Sequence, residues 1–122
     1  MATMTLQQWA DKTERNLDSV SRELKLEILK NLVMGTRIDT GRMRGNWQLS
    51  QDSPITSELD RLDKDGGPTI EAEGAKVTGV SLTYITNNLP YVEVWNERDA
   101  IVAKMQAAVG RMVKTSVKKV ER

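Results

Sequence analysis

Asp39-Thr-Gly-Arg-Met-Arg-Gly-Asn-Trp47 marks the point at which this chain changes its period. Upstream, Leu6, Trp9, Thr13, Leu17, Val20, Leu24, Ile28 and Leu32 recur at steps of three or four, the spacing of one helix face. Downstream, Met43, Trp47 and Leu49 share one parity while Arg44, Asn46 and Gln48 share the other, the alternation of a half-buried strand. Between them lies turn chemistry. Asp39 can accept from a backbone N–H two residues on, and Gly41 tolerates positive φ. A helix that turns sharply into a strand is an α+β beginning.

Working backward, Thr5 and Gln8 form a capping box, in which each side chain satisfies the other's free backbone N–H. Gly35 offers a left-handed stop. The first helix is therefore expected over about 5–34, a rod of about 45 Å. So long a helix in so small a domain either projects at one end or packs along a neighbour.

Working forward, residues 51–68 are polar and hold Pro54, Gly66, Gly67 and Pro68, a loop with Ile55 and Leu59 as its apolar pins. A short helix near 69–75 would tolerate Pro68 at its start. Val80, Leu82 and Tyr84 alternate with Ser81, Thr83 and Ile85 in a strand over about 77–87, which Asn87, Asn88 and Pro90 end. Tyr91 to Glu97 suits either a strand or a helical turn, and Tyr91, Val92, Val94 and Trp95 cannot all be exposed. Ile101, Met105, Ala108, Met112, Val113, Val117 and Val120 then make an amphipathic helix over about 99–120, capped by Asn96 or Asp99. Gly110 interrupts it and leaves room for close packing. Residues 1–122 thus read as one α+β domain: two long helices packed on a small antiparallel sheet, with a long polar loop.

The composition restricts the chemistry. The 122 residues contain no Cys and no His, which removes disulfides, thiolate sites, the commonest general base and the commonest transition-metal ligand. The acid pairs, such as Asp60 with Asp63 and Glu71 with Glu73, lie in polar sequence without a sign of the burial that acid catalysis needs. No Gly-rich phosphate loop is present. No catalytic residue, cofactor, metal or small-molecule substrate is expected, and so no enzyme. No apolar run approaches a membrane span or a signal peptide, and a soluble chain made inside the cell is expected. Of the tryptophans, at least two of Trp9, Trp47 and Trp95 are expected in the core, with one available to anchor an interface.

Charge is uneven. Residues 52–76 carry seven acids and three bases (−4), and residues 99–122 carry six bases and two acids (+4). Arg37, Arg42 and Arg44 cluster near the turn, and Lys104, Arg111, Lys114, Lys118, Lys119 and Arg122 follow in the last helix. Such patches attract phosphates, so a small nucleic-acid-binding accessory protein is the alternative class. Opposite faces on neighbouring copies are the other reading.

Two runs carry a resemblance. Thr36-Arg-Ile-Asp-Thr-Gly-Arg-Met-Arg-Gly-Asn-Trp47 and Tyr84-Ile-Thr-Asn-Asn-Leu-Pro-Tyr-Val92 follow a long helix and flank an acidic segment, in that order. In this the chain resembles the neck or tail-completion (head–tail joining, minor tail component) proteins of long-tailed bacteriophages. It departs from their pattern at Arg37, where the family usually has Pro. It departs again after Tyr91, where Glu93-Val-Trp-Asn-Glu-Arg-Asp replaces a Glu-x-Gly loop. The resemblance implies a structural virion protein at the head–tail junction, assembled in the host cytoplasm as a ring of six or twelve copies. It would contact other neck and tail proteins, with DNA passing through the lumen. Two interface groups are expected: Asp39, Thr40, Gly41, Arg42, Arg44 and Trp47, and then Asn87, Asn88, Pro90 and Tyr91.

Overall fold

The computed structural model describes residues 5–79 and 82–121, with side chains as far as Lys118. Seven elements follow in order: α1 (Leu6–Gly35), α2 (Arg42–Gly45), β1 (Trp47–Gln51), α3 (Gly67–Gly74), β2 (Thr83–Asn87), α4 (Val92–Asp99) and α5 (Ile101–Glu121). The α+β architecture holds. α1 and α5 form the main helix pair. β1 and β2 make a two-stranded antiparallel sheet in which Trp47 opposes Asn87 and Leu49 opposes Ile85. Leu29, Leu32, Val33, Met43, Trp47, Leu49, Leu89 and Ile101 form the core where these layers meet.

α1 begins at the capping box, with Thr5 N–H donating to Gln8 and Gln8 N–H donating to Thr5 at 3.0 and 3.1 Å. Its end differs from expectation. Gly35 is not left-handed; Thr36 ends the helix in extended backbone, and its hydroxyl donates to the Leu32 carbonyl at 2.6 Å. The helix thus ends without glycine freedom: the extended Thr36 donates its N–H to the Val33 carbonyl and its hydroxyl one turn back. Along α1 the predicted stripe is covered only in part. Leu32 is buried, but Leu6, Trp9 and Leu17 are 87%, 60% and 59% exposed.

The strand expected from Met43 starts later. Arg42–Gly45 is a single helical turn, and β1 opens at Trp47. Met43 and Trp47 stand four apart as well as in one parity, so both are buried by a turn followed by a strand. The loop expected over 51–68 runs between β1 and α3, over residues 52–66, and is tied down. Asn46 donates to the Leu59 carbonyl at 2.9 Å and accepts from the Leu59 N–H at 2.7 Å, and Gln48 donates to the Ser57 carbonyl at 2.7 Å. Two amide side chains thereby replace a strand partner.

α3 starts beside Pro68, as expected. β2 is shorter than predicted; Val80 and Ser81 lie outside the described residues. Tyr91–Glu97 resolves as helix α4. Ala100 then turns left-handed, with φ 51°, and α5 begins. Asn96 accepts from the Val102 N–H at 3.0 Å and so caps α5, while Asp99 is engaged elsewhere. On α5, Ile101, Ala108, Met112 and Ser116 are buried, whereas Val113 is exposed. Val120 has no described side chain. Among the described residues, no atom lies within 4 Å of a Cβ built on Gly110, so none of them packs closely there. Among the described residues no helix is long and apolar enough to cross a membrane.

Candidate functional site

The first run folds around its own side chains. Gly41 sits at φ 87°, and a Cβ there would come within 2.7 Å of the Asp63 and Lys64 amide nitrogens. Its carbonyl accepts from Gly45 N–H at 2.9 Å and from Asp63 N–H at 3.0 Å, so this point joins turn to loop. A Cβ on Gly45 would overlap the Arg61 carbonyl. Only glycine permits both approaches.

Arg44 is buried. Its guanidinium donates to the carbonyls of Thr36 at 2.8 Å, Lys64 at 2.8 Å and Met34 at 3.1 Å. It clamps the end of α1 to the loop. Trp47 is also buried, and its indole N–H donates to the Thr36 hydroxyl at 2.8 Å. Arg42 is partly exposed and pairs with Glu58 at 3.1 Å, with Asp60 at 4.0 Å. Asn87 donates to the Met43 carbonyl at 2.8 Å, and Asn88 to the Ile55 and Ser57 carbonyls at 2.7 and 3.1 Å. The second run thereby holds the turn on one side and the loop on the other. Gly41, Arg44, Trp47, Asn87 and Asn88 all have internal work and shape the surface from beneath.

Asp39, Thr40, Pro90 and Tyr91 remain exposed. Asp39, Thr40 and Tyr91 converge on one cleft of about 290 Å³, which Arg37, Ile38, Met43 and Trp95 complete. Arg37 donates twice to Asp99, at 2.8 and 2.9 Å, while its guanidinium carbon lies 4.0 Å from the centroid of the Trp95 ring. Arg98 approaches the same ring at 5.1 Å. The hydrogen bond from Arg37 holds the Asp99 carboxyl below its ordinary range. A cation–π contact and a bidentate ion pair thus fix this wall of the cleft.

No family model, curated protein or solved structure matches this chain.

The cleft therefore has to be judged on its own chemistry. Met43 is the buried apolar member of the lining, Trp95 is half-buried and Ile38 exposed, and Arg37, Asp39 and Thr40 supply polar groups; Trp, Tyr and Arg are also the residues enriched at protein contacts. Arg37 and Trp95 were not among the expected interface residues. The signal for them was present: Arg37 stands where the resembled pattern has Pro, and Trp95 and Asp99 stand in the segment that departs from that pattern. The two departures face each other across space.

Away from the cleft lining, two buried carboxylates brace the loop. Asp63 accepts from Gly66 and Thr69 N–H, both at 2.8 Å. Burial pushes its pKa up, and hydrogen bonds from Thr69 and Gly66 outweigh that and hold it low. Glu73 accepts from Leu49 N–H at 2.9 Å, Lys76 at 2.8 Å and Arg61 at 3.2 Å. Burial again acts upward, and the hydrogen bonds from Lys76 and Leu49 together with Arg61 reverse it. Carboxylates held ionised in this way are structural braces, not proton donors.

Proposed function

We propose that this chain is a structural virion protein of a tailed phage. In this reading it forms a ring of six or twelve copies at the head–tail junction. There it completes the tail and docks it to the head-side connector. The observation that carries the reading is the meeting of the two resembling runs: Asp39 and Thr40 of the first and Tyr91 of the second line one exposed cleft. Residues far apart in sequence form one rigid contact surface, and buried glycines, Arg44 and Asn87 fix its shape. The departures at Arg37 and Trp95 change the chemistry of that surface without removing it. A subunit of this kind would assemble in the host cytoplasm and end in the virion.

Mass spectrometry of purified particles of the virus that encodes the chain tests this reading. Peptides of the chain at a ring-sized copy number are expected. Tailed particles that are complete and infectious without it would overturn the proposal.

One observation favours a second reading as a nucleic-acid-binding accessory protein. Lys104, Arg111, Lys114 and Lys118 are all exposed on α5, and steps of three, four and seven set them along one strip. Four phosphate contacts would give a log–log salt slope of at most about −3.6 on duplex DNA. Titration of a short duplex at two salt concentrations separates the two readings. Lumen contact in a ring needs only weak affinity, whereas an accessory protein needs micromolar binding or better.

A further inference from the structure

A single residue separates α4 from α5, and its backbone is strained. Ala100 stands at φ 51° and ψ 44°, the left-handed region, where a Cβ crowds the following carbonyl. Glycine usually takes this place at a helix end. Here the sequence across the break is Glu97-Arg-Asp-Ala-Ile-Val-Ala-Lys104, with no Gly and no Pro. Alanine is the best helix former, so the local preference is for one continuous helix from Val92 to Glu121. A residue held against its preference needs surroundings that over-determine it.

Side chains supply that restraint. Asn96 Oδ1 accepts from the Val102 N–H, which a continuous helix would give to the Arg98 carbonyl. Arg37, in the segment after α1, donates twice to Asp99 and lies over the Trp95 ring. This ion pair is accessible, with the two side chains 46% and 23% exposed. α4 itself contains no buried residue; Val92 and Trp95 are half-buried against the core cluster. It is a partly covered helix, fastened from outside.

We infer that Ala100 is a hinge and that Arg37, bound to Asp99 and Trp95, is the latch that holds α4 folded back; with the latch open, α4 turns into line with α5. The inference goes beyond the assembly reading and does not depend on it. The chain leading into α4 has the reach to follow. Asn87 and Ile101 line one cavity of about 200 Å³. In a continuous helix Val92 would stand about 14 Å from Ile101 along the axis. The steps from Asn87 to Val92 span up to about 17 Å. Leu89, 3% exposed, has to leave the core in this movement, which keeps the bent form dominant while the latch is closed. The consequence falls on the cleft at Asp39. Tyr91 and Trp95 supply one of its walls, and both leave with α4. The cleft as described exists only in the bent form, so anything seated in it holds α4 back.

The chain has no cysteine, so a pair of spin labels can be placed cleanly. Val94→Cys and Thr115→Cys put one on each helix, both at exposed positions. In a continuous helix the labelled backbones stand about 32 Å apart. With the remaining sequence unchanged, electron–electron dipolar spectroscopy should give a single, shorter separation. Adding Arg37→Ala should produce a second population at about 32 Å. Adding Ala100→Gly to that protein should cut the long population by roughly thirtyfold, because glycine accepts the left-handed bend freely and is the poorer helix former. A mere loss of packing would not be reversed in this way. Asp99→Ala opens the latch from the other side and should give the same second population, which covers the case of an Arg37→Ala protein that fails to fold by circular dichroism. A single short separation in every folded variant would overturn the hinge, since packing alone would then hold α4. A broad spread of distances with loss of helical dichroism would overturn it too, because α4 would be melting and not turning. A long population that Ala100→Gly leaves unchanged would show that the strain at Ala100 drives nothing.

Discussion

Arg42 and Arg44 stand two residues apart, look alike in sequence and have different fates. Arg44 spends its guanidinium on three backbone carbonyls and is buried, whereas Arg42 reaches outward to Glu58. Arg44→Ala would leave the Thr36, Met34 and Lys64 carbonyls without a donor at the joint between α1 and the loop. A loss of about 3 kcal/mol is expected, given roughly 1–3 kcal/mol for each buried group left unsatisfied and some relief by water. Arg42→Ala removes only a partly exposed pair and should cost less than about 1 kcal/mol. Urea midpoints of the two variants check this directly. Equal losses would mean that the clamp does not act as its geometry indicates. Conversely, an assembly defect in Arg42→Ala with stability intact would place Arg42 on the contact surface.

At the scale of elements, the helices were legible and the turn between them was not. Three-and-four periodicity, the Thr5–Gln8 box and Pro68 declared α1, α5 and α3, because these signals are local. Met43 fitted a strand by parity and a helical turn by its four-residue step to Trp47, and the turn is held by contacts distant in sequence, the Arg61 carbonyl against Gly45 among them. That contact spans sixteen positions, beyond any local pattern. For the same reason Arg44 read as a surface cation, and Arg37 was not linked to Trp95 and Asp99. Of the expected interface group, Asp39, Thr40, Pro90 and Tyr91 are exposed and Arg42 is partly so. Two predictions belong here. Gly110 lies in α5 with open space around it, so Gly110→Ala should raise the stability of the isolated chain by up to about 1 kcal/mol. A lower thermal midpoint would show a constraint that the open geometry does not contain. Glu73 joins β1 to α3 and the loop, and its folded pKa is depressed. Its contribution is complete above the ordinary carboxylate pKa of about 4 and is lost as pH falls through the lower folded value. Glu73→Gln should therefore be less stable than the parent at pH 7, with the gap closing as pH drops below about 4. A gap that stays constant with pH would mean that the charge of Glu73 contributes nothing.

The whole molecule is unevenly held. Its main core cluster lies where the sheet, α4 and the C-terminal end of α1 meet the start of α5, and burial continues along α5 through Ala108, Met112 and Ser116. In the first turns of α1, Leu6, Trp9 and Leu17 are exposed. Local stability should follow this gradient. Amides near Leu29, Leu32 and Val33 open only with global unfolding, whereas those near Leu6 to Leu17 open by fraying. In dilute protein, hydrogen exchange should therefore be fast over residues 9–17 and slow over residues 28–35. Equal exchange over the two segments would show that the first turns of α1 are held as firmly as its buried end.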